Sequence, residues 1–294
     1  PLCLKKEEVD DFIERFKKID RKIHRNIIGI HLEGPFFSQE EKGAQEERFI
    51  RPVDIEYCKK ILDMAQGSIK RWSFAPELDG SDVMMDILMK EGIMLSAAHT
   101  SATYDDISRA FDHGLRMLTH FYSGMSTIKR VNGRRILGTV ESGYLIDELY
   151  TEIIPDGFHL PPDLLRLIFR LKRNDRITGC SDSMRAAGMG EGPSVLGPRE
   201  NGLDVIVEDG VAKLPDRSAY AGSVAIGDSM VRTLRTALSL PLPDIFRILS
   251  LQPAEALGID GSKGSVEEGK DADIIVLSDE LETEMVFLGG ERRK

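Results

Sequence analysis

Several apolar runs in this chain end on a residue whose side chain can bind a metal ion or move a proton. The run IIGIHLEG presents Glu33, IMLSAAHT presents His99 and RMLTHF presents His120. A fourth run, RITGCSD, ends on the carboxylate of Asp182. In a parallel barrel the active site lies at the carboxyl ends of the strands, and different strands contribute its residues. This pattern indicates metal-dependent hydrolysis.

Glu33, His99 and His120 have the side chains of a metal-binding set. Zinc and related divalent ions bind imidazole nitrogen and carboxylate oxygen, and a catalytic site leaves one position open for water. Glu33 and His99 are 66 residues apart, and His99 and His120 are 21 apart, so no local motif such as HExxH is present. A single histidine at a strand end is more often structural, but the shared position of all three residues favours a metal site.

Asp182 can serve as an acid and a base. A carboxylate beside an activated water can take its proton and then deliver that proton to a leaving amine. The alternative is a helix N-cap, because the sequence Ser181-Asp182-Ser183 is common capping chemistry. Both interpretations are open at this point.

Other residues near the predicted strand ends have two interpretations each. His159 either donates a hydrogen bond to a substrate or orients its own loop. His31 precedes Glu33 by two residues, so it lies on the same face of the strand. It either forms a hydrogen bond that supports the metal site or is an ordinary packed residue. No thiolate-activating context surrounds Cys180, which favours a buried structural cysteine. The glycine-rich run 188–192 lacks the context of a phosphate loop and is expected to be a mobile loop beside the site.

Strands and helices alternate along the chain, which predicts a parallel sheet. Val9, Phe12, Ile13 and Phe16 recur at helical spacing, so residues 5–19 are expected to form an amphipathic helix. Further helices are predicted near 53–65, from Ser81 as N-cap, near 104–112, from Pro161-Pro162, near 224–238 and near 243–257. Six strand candidates alternate with helices, and this order implies right-handed crossovers. Eight strands would close a barrel.

The last part of the chain has a different pattern. Residues 185–215 are rich in glycine and irregular, with a hairpin predicted around Asp209-Gly210. Residues 259–294 alternate short β runs with Gly and Asp turns. We therefore predict a barrel domain over 1–258 and a small C-terminal β appendage over 259–294.

Composition limits the partners and the compartment. The net charge of −10 argues against a nucleic-acid or anionic membrane surface, since either would need clustered Lys and Arg. A few arginines could still hold a phosphorylated substrate. Three widely spaced cysteines indicate a reducing cytoplasm. No apolar run approaches the roughly 20 residues of a membrane span.

A series of short motifs covers nearly all of the chain. In order, they are HLEGPF (31–36), KGAQ (42–45), FAPE (74–77), AAHTSATYDD (97–106), THFYSGM (119–125), PDGFHLPP (155–162), SDSMRAAGMGEG (181–192), YAGS (220–223) and QPAEALG with GSVEEGKDADIIVL (within 252–277). Each motif alone is weak, but the combination is specific. Through it the chain resembles the N-acetylglucosamine-6-phosphate deacetylases of the amidohydrolase superfamily.

The resemblance implies one divalent metal ion, zinc or alternatively iron or manganese, on Glu33, His99 and His120. It makes Asp182 the general base and then the general acid. In the implied reaction, activated water attacks the acetamide carbonyl and gives acetate and glucosamine 6-phosphate. The residues implied in substrate binding are Ala44, Gln45, Ser123, Gly124, Arg135, Asp156, His159, Tyr220, Ala221 and Gly222, with the adjacent Arg134 as the alternative to Arg135 for holding the phosphate. The implied assembly is a cytoplasmic homodimer.

The chain departs from the family pattern in three places. Ser123-Gly124 stands where the family usually has Asn-Ala, and residues 135–138 replace an Arg-Glu-Pro-Gly run, so the preferred amino sugar is left open. The family's first two barrel strands and N-terminal β segment have no counterpart here. The expected fold is therefore a (β/α)₈ TIM-type barrel that lacks its first two strands in this chain, with 259–294 as the C-terminal part of a small β-sandwich domain. We expect the front of the barrel to precede Pro1.

Two alternatives to this function are kept. One is a related amidohydrolase acting on N-acetylgalactosamine 6-phosphate or another amide. The other belongs to a different class, a non-catalytic barrel homologue that serves as a binding module. The presence of all three metal-capable residues and of Asp182 favours an enzyme over a binding module.

Overall fold

The structure is a computed structural model that describes residues 6–19, 24–200 and 202–294. The chain divides into two compact units. The first unit is formed from the ranges Pro1–Asp20, Ile28–Thr151 and Val195–Leu203, and the second from Arg21–Ile27, Glu152–Ser194 and Asp204–Lys294.

The described residues form α-helices and strands in alternation over most of the chain. The helices are α1 (Lys6–Lys17), α2 (Ile55–Ala65), α3 (Ser81–Lys90), α4 (Tyr104–Asp112), α5 (Thr139–Leu145), α6 (Pro162–Leu171), α7 (Gly227–Leu238), α8 (Leu242–Phe246) and α9 (Gln252–Ala256). The strands are β1 (Ile30–Glu33), β2 (Ile69–Phe74), β3 (Met94–Ala97), β4 (Leu115–Leu118), β5 (Lys129–Val131), β6 (Arg134–Ile136), β7 (Tyr150–Ile153), β8 (Ile177–Gly179), β9 (Gly192–Leu196), β10 (Leu203–Glu208), β11 (Val211–Lys213), β12 (Ile274–Leu277), β13 (Thr283–Leu288) and β14 (Glu291–Arg292). Short 3-10 turns lie at Glu47–Phe49 and Asn174–Arg176.

The first unit is built on parallel strands. β1, β2, β3 and β4 lie side by side in chain order, and β4 then pairs with the first half of β7. Glu33 lies opposite Ser73, and Ser73 lies opposite Ser96, so the carboxyl ends of β1, β2 and β3 meet at one edge. β5 and β6 form a separate antiparallel hairpin after β4. The six predicted strands correspond to β1, β2, β3, β4, β7 and β8, which confirms the predicted α/β alternation.

Helices α1, α2 and α4 begin within two residues of their predicted starts, whereas α5 was not predicted. Asp54 caps α2 by accepting the Tyr57 N–H at 2.9 Å, and Thr103 caps α4 in a reciprocal capping box with Asp106. The prediction that Ser81 is an N-cap was wrong. Gly80 occupies the cap with φ of 86°, and Ser81 is the first helical residue, whose hydroxyl donates to the Pro76 carbonyl.

The second unit contains the second half of β7, β8 and the C-terminal helices. The Cys180 N–H donates to the Ile153 carbonyl at 3.0 Å, which links the ends of these two strands. The predicted hairpin at Asp209-Gly210 is confirmed, since β10 and β11 pair across it and both turn residues have positive φ. The helix predicted near 243–257 is divided into α8, a π-helical turn (Arg247–Leu251) and α9. Pro253 has no N–H for the regular helical bond, which fits this interruption.

The C-terminal residues form β12, β13 and β14, an antiparallel sheet. The predicted β character of this stretch is confirmed. Asp228 of α7 accepts both the backbone N–H and the hydroxyl of Thr283 at the start of β13, at 3.1 and 3.0 Å. A domain boundary at residue 258 stays a prediction. Within the part of the chain that the structure describes, no helix has the length and apolar character needed to span a membrane.

Candidate active site

Glu33, His99 and His120 meet at the carboxyl edge of the first unit's sheet. Glu33 is the last residue of β1, while His99 and His120 each lie two residues beyond β3 and β4. One ligand atom from each side chain lies within 4.8 Å of the others. Glu33 Oε1 is 3.0 Å from His99 Nε2 and 3.1 Å from His120 Nε2, and all three residues are buried. The structure thus brings together the three predicted ligands.

The backbone at the strand ends is unusual. His99 and His120 have φ of 47° and 33°, in the left-handed region that bulky residues rarely adopt. Asp182 of the second unit also has a positive φ, of 43°. Such conformations persist where the surrounding structure holds them, and they concentrate at functional sites. His99, His120 and Asp182 therefore share a left-handed backbone conformation, which the periodicity of the sequence does not reveal.

The ring of His99 is oriented by a backbone carbonyl. His99 Nδ1 is 2.9 Å from the Glu41 carbonyl oxygen, which can only accept, so Nδ1 carries a proton. In the neutral ring Nε2 then has a lone pair, which faces a carboxylate oxygen of Glu33. At this distance either a proton or a metal cation lies between the two atoms. A histidine whose second nitrogen donates to a carbonyl is the usual arrangement of a metal ligand.

The electrostatics of Glu33 also fit a metal ion. Burial alone raises the pKa of Glu33, but hydrogen bonds with His120 and His99 hold that pKa well below its usual range. Glu33 is therefore ionised at neutral pH. Its second oxygen, Oε2, is buried and has no hydrogen-bond partner among the described residues. Since a buried charged oxygen without a partner is costly, a divalent cation suits this donor set.

The loop after β1 wraps around His99. The Phe37 ring lies 4.7 Å from the imidazole, and the Ser38 N–H donates to the His99 carbonyl at 2.8 Å. A Cβ atom at Gly124 would lie 2.6 Å from the Glu41 carbonyl oxygen and 2.7 Å from His99 Nδ1. Gly124 has φ of 57° as well, so this position requires glycine on two grounds.

The predicted substrate residues of the first unit have different surroundings. Ala44 and Gln45 follow the loop that covers His99, and Gln45 is buried. The Ser123 N–H donates to the His120 carbonyl at 2.9 Å, so Ser123 and Gly124 lie directly after a predicted ligand. Arg135 is exposed on the β5–β6 hairpin, opposite Arg130. Ser123 and Gly124 thus lie beside a predicted ligand, whereas Ala44 and Gln45 follow Gly43, at which a Cβ atom would lie 3.4 Å from His99 Cε1, and Arg135 lies on the hairpin.

In the second unit, Asp156 holds His159. The Asp156 carboxylate accepts the His159 ring N–H at 2.7 Å and also accepts the backbone N–H groups of Phe158 and His159. Burial raises the pKa of Asp156, but the interactions with His159 and the two backbone N–H groups together outweigh it, so the net shift of the pKa is downward. The Tyr220 ring packs 5.0 Å from the His159 ring. Because Nδ1 is engaged, Nε2 is the ring nitrogen through which His159 can reach a substrate.

Asp182 and the segment 220–223 are neighbours in the second unit. The Ser223 N–H donates to the Asp182 carbonyl at 3.0 Å, and Ser183 and Ser223 form a parallel bridge. A Cβ atom at Gly222 would lie 3.4 Å from the same carbonyl. No helix begins directly after Asp182 in the described chain, where 185–188 form a turn, so the N-cap interpretation was wrong. Ala221 is fully buried and its N–H donates to Ala212.

His31 belongs to a buried polar group of the sheet. Its Nε2 contacts the Ser73 hydroxyl at 2.6 Å, and that hydroxyl contacts Ser96 and Thr119 at 2.6 and 2.8 Å. The Arg71 guanidinium donates to Ser96 and Thr119 at 3.0 and 2.6 Å. The group cross-links β1 to β4 close to His99 and His120.

Sequence reasoning gave no role to Glu77, which lies three residues beyond β2. Its carboxylate accepts the Thr100 hydroxyl at 2.5 Å and the Ser101 N–H at 2.6 Å, directly after His99. Burial raises the pKa of Glu77 despite these hydrogen bonds. The sequence did carry a signal, because Glu77 is a carboxylate three residues beyond a strand end, as Asp182 is.

Comparisons with known proteins agree with this site. The sequence model of the Amidohydrolase family matches residues 7–293. The chain is 36% identical over 264 residues to an N-acetylglucosamine-6-phosphate deacetylase of Bacillus subtilis (strain 168), covering 90% of this chain and 64% of that protein. It is 29% identical over 265 residues to an N-acetylgalactosamine-6-phosphate deacetylase of Escherichia coli O157:H7, covering 90% of this chain and 68% of that protein.

A solved structure has the same fold. It is a mutant N-acetyl-D-glucosamine-6-phosphate deacetylase of Mycobacterium smegmatis in complex with N-acetyl-D-glucosamine-6-phosphate, with a TM-score of 0.89 at 29% identity. The match covers 99% of this chain and 74% of that chain. The chain thus spans 64–74% of the length of these relatives. It belongs to the amidohydrolase family, and its relatives there include the N-acetylglucosamine-6-phosphate deacetylases.

Proposed function

We propose that this protein hydrolyses the acetamide of N-acetylglucosamine 6-phosphate, giving glucosamine 6-phosphate and acetate in amino-sugar catabolism. The observation that carries the proposal is the buried set of Glu33, His99 and His120, in which an ionised carboxylate oxygen has no hydrogen-bond partner among the described residues. The similarity to the Bacillus subtilis protein named N-acetylglucosamine-6-phosphate deacetylase supports the substrate.

Glu33, His99 and His120 would hold one divalent metal ion, with zinc as the first expectation and iron or manganese as alternatives. When bound, such an ion polarises a carbonyl oxygen and makes water more acidic. Glu33 supplies the negative charge of the set. The Glu41 carbonyl keeps the His99 lone pair on Nε2, and the loop from Phe37 onward shields the ring from solvent.

Asp182 would take the proton of the attacking water and then deliver it to the departing amine. An amine leaves as a neutral molecule only if it is protonated, so one group that performs both transfers completes the reaction. The left-handed backbone of Asp182 and the absence of a following helix in the described residues support a functional role over capping.

The remaining predicted residues would bind the sugar phosphate. His159, oriented by Asp156, offers Nε2 to the substrate, and Tyr220 packs on its ring beside Ala221 and Gly222. Backbone and side-chain groups of Ala44, Gln45, Ser123 and Gly124 would contact the sugar. The guanidinium of Arg135 is exposed and carries the charge that a phosphate group requires.

We further propose the architecture of the complete site. The parallel strands would be strands 3–8 of a (β/α)₈ barrel, with 259–294 belonging to a small β-sandwich domain. The match of the Amidohydrolase family model to residues 7–293 supports a barrel of this class. The assembly would be a cytoplasmic homodimer that acts on a small molecule, without nucleic acid or membrane as partner.

A second substrate has specific support. The Escherichia coli O157:H7 relative is named for N-acetylgalactosamine 6-phosphate, which differs from the glucosamine compound at one sugar carbon. Rates on the two compounds, measured side by side, would decide between them. A metal-loaded protein that acts on neither would favour the non-catalytic binding module.

The experiment that tests the roles is Asp182→Asn. We expect the variant to bind as much metal as the wild type and to release acetate about 10²–10⁴-fold more slowly, because the group that moves both protons is lost. Metal content and acetate release are measured on the same preparation. Near-normal turnover in the variant would remove Asp182 from the mechanism.

A further inference from the structure

Glu77 binds the two residues that follow His99. Its Oε2 accepts the Thr100 hydroxyl at 2.5 Å, and its Oε1 accepts the Ser101 N–H at 2.6 Å. Both oxygens of one carboxylate are therefore used on a single dipeptide. Charge-assisted hydrogen bonds of this kind are short and roughly twice as strong as neutral ones.

The dipeptide held by Glu77 has little freedom. Thr100 is fully buried, its N–H donates to the Gly124 carbonyl at 3.0 Å, and its own carbonyl accepts the Ser126 N–H at 3.0 Å. The Thr100 side chain also accepts the Ala102 N–H at 3.1 Å. Several hydrogen bonds thus fix the backbone conformation directly after His99, and Glu77 provides the only charged partner named among them.

This restraint matters because His99 has a backbone conformation that is costly by itself. A non-glycine residue in the left-handed region persists only where its neighbours hold it. The Ser38 N–H holds the His99 carbonyl from one side. Without Glu77, the segment after His99 could relax toward ordinary φ values and turn the ring away from Glu33.

We propose that Glu77 is a positioning residue for metal binding, which holds Thr100 and Ser101 so that His99 keeps Nε2 directed at Glu33. This inference rests on the proposed metal site. Glu77 does not ligate the ion itself, because both of its oxygens are engaged with the dipeptide.

Three variants test the proposal on the metal-free protein. Glu77→Ala removes both contacts, and Glu77→Gln keeps an acceptor for the Ser101 N–H and an amide that can donate to the Thr100 hydroxyl. Asp228→Ala is the matched control, because Asp228 makes the same pair of bonds to the N–H and hydroxyl of Thr283. Zn²⁺ affinity is measured by competition with a chromophoric chelator, and Co²⁺ absorption spectra report the ligand geometry.

We expect Glu77→Ala to weaken Zn²⁺ binding about 10–100-fold, as loss of an outer-shell partner typically does, and to change the Co²⁺ spectrum. Glu77→Gln should retain most of the affinity. Asp228→Ala should lower thermal stability and leave Zn²⁺ affinity unchanged. Wild-type affinity in Glu77→Ala, or equal loss in Asp228→Ala, would overturn the proposal. A wild-type protein that binds no Zn²⁺ would refute the metal site itself, and the positioning role of Glu77 would then be refuted as well.

Discussion

Replacing Trp72 with phenylalanine should destabilise the strand ends that present Glu33. Trp72 lies on β2 and is fully buried, and its indole N–H donates to the Gly34 carbonyl at 2.9 Å. Its ring also stacks on Phe36, with centroids 6.2 Å apart. Phenylalanine keeps part of the aromatic contact but has no donor, so the residue directly after Glu33 loses this hydrogen bond.

The size of the effect follows from two costs. A buried carbonyl that loses its donor costs about 1–3 kcal/mol. The smaller ring leaves a cavity of roughly 40 Å³, which costs about 1 kcal/mol at about 24 cal/mol per Å³. The free energy of unfolding should fall by about 2–4 kcal/mol. At roughly 2–4 °C per kcal/mol for chains of this size class, Tm should fall by about 5–15 °C.

The measurement is urea unfolding followed by far-UV circular dichroism, because the substitution removes the chain's single tryptophan. Met84→Leu is the matched control, since Met84 is also fully buried and the exchange conserves volume, with an expected cost below about 1.5 kcal/mol. A loss below about 1 kcal/mol in Trp72→Phe, with an unchanged denaturant slope, would refute the assigned role of the indole hydrogen bond.

Further predictions concern charge and metal. Burial raises the pKa of Asp156, but the interactions with His159 and with two backbone N–H groups together hold it below its ordinary 3.8, so the ionised carboxylate contributes stability above about pH 4. The difference in unfolding free energy between wild type and Asp156→Asn should therefore shrink as pH falls through the folded pKa, and a constant difference in pH-dependent melts would contradict this. Zn²⁺ at about 100 times its Kd should stabilise the protein by about 2.7 kcal/mol, and a calorimetric melt of His99→Ala should show no such gain. Arg135→Ala should raise KM about 10- to 100-fold through loss of one charge-assisted hydrogen bond to phosphate, whereas steady-state kinetics of Arg130→Ala, its cross-strand neighbour, should be near normal.

The predicted ligand set follows from local properties. Each of Glu33, His99 and His120 closes an apolar run, and parallel strands bring their carboxyl ends to one edge whatever the helices between them do. Side-chain type and strand pattern are therefore enough to predict that these three residues meet. The helix caps at Asp54 and Thr103 are local in the same sense, since each depends on residues within one turn.

The features that sequence reasoning missed depend on distant parts of the chain. The Glu41 carbonyl reaches His99 across 58 residues, and Glu77 reaches Ser101 across 24, so no window of sequence contains either contact. The left-handed backbone of His99 has no residue signature, because histidine takes that conformation only under tertiary restraint. The error at Ser81 has a local cause instead. Gly80 is the N-cap of α3, one residue before the predicted cap.

Acetate release tests the central claim most directly. The purified protein is stripped of metal with a chelator, reloaded with Zn²⁺, and given N-acetylglucosamine 6-phosphate, and acetate and glucosamine 6-phosphate are counted. We predict equal amounts of both products after reloading, and release near background in the stripped protein and in a Glu33→Gln variant. Product formation that is the same with and without metal, or no product from the loaded protein, would contradict the account.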